Sequence, residues 1–191
     1  IAYCAGTEGM IGGQIVDLDA ETRSISEEEL VYLCNRKTGA LLRVPVLIAA
    51  ALADQEKSKK AELLLEYADT IGLAFQIKDD IFVFLSNAQI GKPTLNDIRE
   101  GKFTLPLIHA LESIHANEAS LILDAVKKRQ FTEDFFYNIG SLVARTGGIE
   151  YAEQRMAYYK VEAEKALSIF SDSEIKQALL NLLEFTIQRK K

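Results

Sequence analysis

Two adjacent aspartates, Asp79 and Asp80, interrupt the otherwise apolar segment 72-GLAFQIKDDIFVFL-85. Burying an ionised carboxylate is unfavourable unless the carboxylate is paired or bound to a metal. One stripe along this otherwise apolar helix is formed, at helical spacing, by Gln76, the two aspartates and Val83. A carboxylate pair on a rigid helix suits Mg²⁺, a hard cation that takes oxygen ligands. A solvent-exposed aspartate pair is the alternative, and this segment alone leaves both open.

A second polar cluster, 35-NRKTG-39, lies within another predicted helix. Arg36, Lys37 and Thr38 offer two cations and a hydroxyl group, and Gly39 lets a ligand approach the backbone. These groups suit the oxygens of a phosphate. A solvated helix face is the other reading of the same residues.

A third cluster lies in the long loop predicted over residues 86–103, where Lys92, Arg99 and Lys102 stand among glycines. Long ordered loops are more often functional than simple connectors. The loop lacks the spacing of a nucleotide-binding P-loop. Its three cations suit closure over an anion, although an ordinary surface loop has the same composition.

Nearly every segment shows helical periodicity, and none shows sustained strand alternation. The residues Ser26 and Glu29 form a capping-box pattern, and Gly147 is placed to end a helix. We therefore predict a single all-α domain over 1–191, with a kink at Pro45. The predicted helices cover the start to Val16, 27–53, 61–85, 104–116, 117–129, 132–146, 149–170, and a terminal helix after 171–173.

Composition excludes several classes of protein. The 191 residues are 48% hydrophobic and 26% charged, which suits one globular core. The net charge of −6 argues against broad attraction to nucleic acid or anionic lipid. The longest apolar run, 44–53, is too short to cross a bilayer. Cys4 and Cys34 are expected to be buried thiols of a reduced, cytoplasmic protein.

Two further features concern the chain start and the histidines. The segment 1-IAYCAGTEGM-10 has the character of a helix interior, so we expect the sequence to be N-terminally incomplete. His109 and His115 have no metal-ligand partner nearby in sequence and are interpreted as structural. Taken together, the three polar clusters and the apolar interior indicate a ligand that carries a diphosphate on a hydrocarbon tail.

The same residues closely resemble the trans-isoprenyl diphosphate synthases, the family of the farnesyl, geranylgeranyl and longer polyprenyl diphosphate synthases. The resemblance runs in order along essentially the whole chain. It is carried by five segments: 9-GMIGGQIVDLDAE-21, 36-RKTGALL-42, 75-FQIKDD-80, 91-GKPTLND-97 and 101-GKFTLPLIHAL-111.

This resemblance implies helices around a deep central cavity and a Mg²⁺-dependent condensation of isopentenyl diphosphate with an allylic diphosphate. In that family the allylic diphosphate ionises, the carbocation alkylates the double bond, and a proton is lost. Metal ions and lysines stabilise the departing diphosphate. Members are usually homodimers, and no stable membrane insertion or nucleic-acid binding is expected.

Site residues are implied position by position. The matched metal ligands are Asp79 and Asp80. The residues matched as contacts to the allylic diphosphate are Lys37, Thr38, Gln76, Lys92 and Lys102. Of these, Lys37, Thr38 and Lys102 are also matched to catalytic roles. The residues matched near the hydrocarbon tail are Phe75 and Gln14.

The sequence departs from the family pattern in two ways. Val83 stands where the second aspartate-rich motif has its third aspartate, which predicts weaker binding of Mg²⁺ and diphosphate. The first aspartate-rich motif and the basic residues for isopentenyl diphosphate would lie upstream of this chain, so the chain alone is expected to lack half of the active site. A non-catalytic structural or regulatory subunit of a heteromeric synthase is therefore the alternative function, and a helical scaffold without ligand is a third.

Overall fold

The computed structural model describes residues 1–21, 23–85 and 95–189, and every regular element among them is helical. The prediction of an all-α fold is confirmed. The helices are α1 (Ala2–Ala5), α2 (Met10–Ala20), α3 (Glu27–Cys34), a π-helical turn (Asn35–Gly39), α4 (Ala40–Leu52), α5 (Lys59–Leu85), α6 (Asn96–Arg99), α7 (Leu105–Glu112), α8 (Ala116–Lys127), α9 (Glu133–Arg145), α10 (Gly148–Leu167) and α11 (Glu174–Gln188).

The start of the chain differs from the prediction of one helix through Val16. The structure has two helices there, because the chain turns between Gly6 and Gly9 before α2 begins at Met10. Glycines are intrinsically poor helix formers, which explains why the break falls among them. The second helix then runs beyond the predicted end, to Ala20.

The predicted helix over 27–53 contains an irregular turn that the sequence did not indicate. Its capping box is confirmed, since the Ser26 hydroxyl accepts from the Glu29 amide and the Glu29 carboxylate accepts from the Ser26 amide. The departure from α-helical geometry is the π-helical turn Asn35–Gly39, whereas Pro45 lies inside α4. Such turns commonly occur at functional sites, and this one carries the second polar cluster.

The helix α5 is the centre of the fold. It packs along α10 and α4, and it also contacts α3, α7, α11 and the π-helical turn. Residues such as Ala74 and Ile81 in its middle are fully buried in the main core, while Tyr67 lies in a smaller core with α10 and α11. The Asp79–Asp80 pair therefore lies on the helix around which the other elements pack.

The helix α2 approaches the π-helical turn backbone to backbone. A Cβ atom at Gly13 would lie 2.3 Å from the amide nitrogen of Lys37, so only glycine fits this position. The contact brings the following turn of α2, with Asp17, against the side chain of Lys37.

Two smaller expectations concern Gly147 and the cysteines. Gly147 adopts φ 70° between α9 and α10, as predicted for a residue that ends a helix. Cys4 and Cys34 are buried and unpaired, as expected. Burial raises the pKa of the Cys34 thiol, and the charges of Asp80 and Asp17 raise it further, which favours the neutral thiol over the thiolate. No helix among the described residues has the length and hydropathy needed to cross a membrane.

Candidate functional site

Lys37 is held by a carboxylate that the sequence analysis did not single out. Its ammonium nitrogen lies 2.5 Å from Oδ2 of Asp17, and the amide of Gln14 donates to the same oxygen at 3.5 Å. The Asp17 side chain is only 12% exposed. A buried carboxylate requires such a partner, so Asp17 fixes the position of Lys37. The sequence contained an indication of this role, because Asp17 follows Gly13 by four residues and therefore lies on the same face of α2.

Thr38, Gln76 and Asp79 form a continuous row of polar contacts. The hydroxyl of Thr38 donates to Oε1 of Gln76 at 3.2 Å. The amide of Gln76 in turn lies 3.4 Å from Oδ2 of Asp79. Two of the predicted sequence clusters, on the π-helical turn and on α5, are thus brought together in the fold.

Asp79 also has a cationic partner from the far end of the chain. Nη2 of Arg189 lies 2.5 Å from Oδ1 of Asp79 and 3.0 Å from the carbonyl oxygen of Phe75. The guanidinium group stacks over the Phe75 ring at 3.9 Å, with Phe82 at 5.6 Å. The sequence did not indicate a role for Arg189, since a contact between residues 110 positions apart leaves no local signal.

Asp80 has different surroundings. Its Oδ2 accepts a hydrogen bond of 2.8 Å from the backbone amide of Leu105, the first residue of α7. Burial raises the pKa of Asp80 to about 7; the hydrogen bond from Leu105 opposes this rise, and the negative charges of Asp97 and Asp79 add to it. The adjacent aspartates therefore have different partners, the Leu105 amide for Asp80 and the Gln76 amide and Arg189 guanidinium for Asp79.

Lys102 lies beside these groups, on the segment between α6 and α7. Its ammonium pairs with Glu100 at 2.5 Å, and this hydrogen bond raises the pKa of Lys102 against the effect of burial. The charges of Asp97 and Asp17 also raise the pKa of Lys102, while Lys37 lowers that of Glu100. The segment that carries Lys102 is therefore within electrostatic range of the Lys37–Asp17 pair. The other predicted loop lysine, Lys92, lies outside the described residues.

The oxygen donors at the aspartate pair fit a shared Mg²⁺ ion. The described residues contain no group of three or more His, Cys, Asp or Glu side chains that would hold a metal alone. Mg²⁺ is, however, usually bound by one or two carboxylates together with substrate phosphates and water. Asp79, with 45% of its side chain exposed, is the more open of the two donors. Val83 packs against the main core and adds no ligand.

His109 belongs to a separate cluster. Its ring stacks on Tyr151 at 4.1 Å, and the Tyr151 hydroxyl donates to the carboxylate of Glu27, which also pairs with Arg155 at 2.6 Å. These contacts connect α3, α7 and α10 through packed rings and an ion pair. They agree with the structural interpretation of His109.

Comparison with known proteins gives consistent matches. The family model described as polyprenyl synthetase matches residues 3–138. The geranylgeranyl diphosphate synthase of Sulfolobus acidocaldarius is 32% identical over 183 residues, 94% of this chain and 55% of that protein. The farnesyl diphosphate synthase of Escherichia coli is 39% identical over 126 residues, 65% of this chain and 42% of that protein.

The fold gives the same match. The crystal structure of geranylgeranyl pyrophosphate synthase from Bacteroides thetaiotaomicron superposes with a TM-score of 0.82 at 34% identity, covering 94% of this chain and 60% of that one. The chain spans about half the length of the curated relatives it matches.

Proposed function

The chain belongs to the polyprenyl synthetase family, and we propose that it forms the diphosphate-binding half of a trans-prenyl diphosphate synthase. The reaction we assign to the whole enzyme is the condensation of isopentenyl diphosphate with an allylic diphosphate. The observation that carries this proposal is the polar row that runs from Thr38 through Gln76 to Asp79, with the Lys37–Asp17 pair next to Thr38 in the chain.

The row offers the groups that a diphosphate requires. An ammonium and a hydroxyl group bind phosphate oxygens directly, and the proposed contacts are Lys37 and Thr38, with Lys102 beside them. Of the two predicted Mg²⁺ ligands, Asp79 is the more open, and a metal held there would neutralise the negative charge that develops on the departing diphosphate. Phe75 lies next to the row at the start of the same helix face, 37% exposed, which suits a place near the hydrocarbon tail.

Lys37 and Asp79 each carry an internal counter-ion. Asp17 holds Lys37, and Arg189 holds Asp79. A diphosphate with its metal would compete with both contacts, since the phosphate is the better partner for Lys37 and the metal for Asp79. Gln14, which the resemblance matches to a residue near the hydrocarbon tail, also donates to Asp17. Its contact would therefore be affected if Lys37 left Asp17 for a phosphate.

The second candidate function is a non-catalytic subunit of a heteromeric synthase. It is favoured by Val83, which packs against the core where a third carboxylate is expected, and by the ion pair of Asp79 with Arg189. In this case the fold and the diphosphate-binding groups remain, while a partner chain supplies the chemistry.

We also propose that the protein acts as a dimer in the cytoplasm. Apolar side chains of α2 at helical spacing, Ile11, Ile15 and Leu18, are 49%, 58% and 55% exposed, and Leu52 of α4 is 84% exposed. Exposed apolar patches of this kind mark interaction surfaces. They support a packing partner for α2 and α4, which the rest of the enzyme or a second subunit would provide.

Turnover tests the enzyme against the subunit. The protein would be incubated with isopentenyl diphosphate, radiolabelled allylic diphosphate and Mg²⁺, alone and after mixing with a family member. A longer prenyl diphosphate from the protein alone supports the enzyme, and binding of the allylic diphosphate without product supports the subunit. Lys37→Met should abolish either result, whereas Lys59→Met, at an exposed position at the start of α5, should change neither. Absence of both binding and product contradicts the proposal.

A further inference from the structure

The first turn of α7 lacks a capping side chain of its own. Thr104 occupies the N-cap position, but its side chain makes no capping hydrogen bond, and its buried hydroxyl oxygen has no hydrogen-bond partner among the described residues. The first amides of a helix need acceptors from outside the helix. The carboxylate of Asp80, from α5, supplies one to Leu105 at 2.8 Å.

A carboxylate is well suited to this position. Asp and Asn are among the strongest N-cap residues, and a negative charge is stabilised by the dipole at a helix N-terminus. Asp80 faces the protein interior, where it lines a cavity of about 10 Å³ with Cys34, Leu73, Leu105 and Tyr159. A cavity of this size has room for no more than about one water molecule. Gln76 of the polar row lines the same cavity, so Asp80 is distinguished from Asp79 by its hydrogen bond with Leu105 and not by its distance from the row.

The segment that carries Lys102 is anchored at both ends. Gly101 adopts φ 85°, and a Cβ atom there would lie 3.1 Å from the carbonyl oxygen of Glu21, at the end of α2. Four residues after Gly101, the chain reaches Leu105, whose amide donates to Asp80. Between these anchors Phe103 and Thr104 are buried, so the backbone of Lys102 has little freedom.

We propose that Asp80 is a positioning residue: it caps α7 and thereby fixes the segment that presents Lys102, and it leaves Asp79 as the principal carboxylate for the cation. The two neighbouring aspartates then have different roles. The placement of Lys102 matters only if the site binds a diphosphate, so this part of the inference rests on the proposed function. The cap itself does not.

The substitutions Asp80→Asn, Asp80→Ala and Asp79→Asn test this division. Asparagine keeps an oxygen that accepts from the Leu105 amide but loses the charge that a metal requires. Two measurements are made on each variant: the thermal unfolding temperature, and the affinity for inorganic pyrophosphate with Mg²⁺ by calorimetry.

We expect Asp80→Ala to lower the unfolding temperature by about 3 °C, the size of a lost cap in a chain of this length, and Asp80→Asn to restore most of it. Asp80→Ala should weaken pyrophosphate binding by about tenfold, Asp80→Asn by a few-fold, and Asp79→Asn by tenfold or more without a change in unfolding temperature. Adding Lys102→Met to Asp80→Ala should cause little further loss, because both changes act through Lys102.

Other results would overturn the inference. Equal loss of Mg²⁺-dependent affinity in Asp80→Asn and Asp79→Asn would make Asp80 an equivalent metal ligand. Equal unfolding temperatures of Asp80→Asn and Asp80→Ala would show that the cap contributes nothing. Wild-type protein that binds no pyrophosphate would contradict the proposed function, while the unfolding temperatures would still decide whether Asp80 caps α7. If Asp80→Ala does not fold, the comparison of Asp80→Asn with Asp79→Asn decides the metal role.

Discussion

Asp79 and Asp80 are neighbours in the sequence but lie about 100° apart around α5. Asp79 is on the outward side, where it meets Gln76 and the Arg189 guanidinium. Asp80 is on the inward side, where it accepts from the amide of Leu105. The outward contacts are with long, partly exposed side chains that a ligand can replace. The inward contact is with the backbone of another helix, which no small ligand replaces.

The outward side of α5 therefore has contacts that a ligand can replace, and the inward side has a contact that holds another helix in place. Exposed ion pairs contribute little to stability, typically about 0.2–1 kcal/mol. A buried contact that fails leaves a desolvated polar group unpaired, at a cost of about 1–3 kcal/mol. Variants at Asp79 on the outward side should therefore change binding with little effect on stability, whereas variants at Asp80 on the inward side should change stability and affect binding only through the segment that carries Lys102.

The largest effect is expected from Gly13→Ala. The new Cβ would lie 2.3 Å from the Lys37 amide nitrogen, so α2 must move away from the π-helical turn and the Lys37–Asp17 pair must separate. We expect a loss of about 3 kcal/mol or more in the free energy of unfolding, measured in urea. The control is Gly39→Ala, whose Cβ would meet its nearest neighbour at an ordinary 3.5 Å. Similar losses in both variants would contradict this packing.

Lys37→Met is expected to have the next largest effect. It leaves the buried Asp17 carboxylate without its cation, which should cost about 2 kcal/mol of unfolding free energy in addition to the loss of diphosphate binding. The double variant Lys37→Met/Asp17→Asn should recover most of the stability but none of the binding. Recovery of neither, or of both, would show that the two residues are not coupled as the 2.5 Å contact indicates.

Val83→Asp tests whether a carboxylate at position 83 improves metal binding at the expense of core packing. The new carboxylate should tighten Mg²⁺-dependent pyrophosphate binding several-fold, because it restores the third member of the motif. It should also lower the unfolding free energy by about 1–2 kcal/mol, because Val83 packs against the core. Val83→Asn is the matched control and should show the loss of stability without the gain in affinity. If affinity does not rise in Val83→Asp, the interpretation of position 83 is wrong.

Arg189→Met is expected to have the smallest effect. It removes the internal cation from Asp79 and should raise the affinity for Mg²⁺ alone by a few-fold, while unfolding free energy changes by less than about 1 kcal/mol. Arg145→Met, which breaks an exposed pair with Glu118 elsewhere, should leave the Mg²⁺ affinity unchanged. Weaker Mg²⁺ binding in Arg189→Met would mean that Arg189 supports the site instead of competing for it.

The features that sequence could predict are those set by residues close together in the chain. The capping box of Ser26 and Glu29 depends on residues three apart, and the stripe from Gln76 to Asp79 depends on one turn of helix. The family resemblance located the groups of the polar row without a structure, and the fold then brought Thr38 and Gln76 into contact.

The features that sequence could not predict depend on distant partners. Asp80 is 25 residues from the amide that it caps, and Arg189 is 110 residues from Asp79. Neither contact leaves a periodic signal in the chain. The position of the irregular turn was also missed, since proline is a stronger local indicator than the π-helical turn at Asn35–Gly39.

Calorimetric titration of inorganic pyrophosphate into the protein, with and without Mg²⁺, tests the central claim most directly. That claim is that the polar row binds a diphosphate jointly with a metal through Asp79. Wild-type protein should show saturable binding at one site per chain that requires Mg²⁺, and Asp79→Asn should weaken it by about tenfold or more. Binding that is equally strong without Mg²⁺, or unaffected by Asp79→Asn, would contradict the claim.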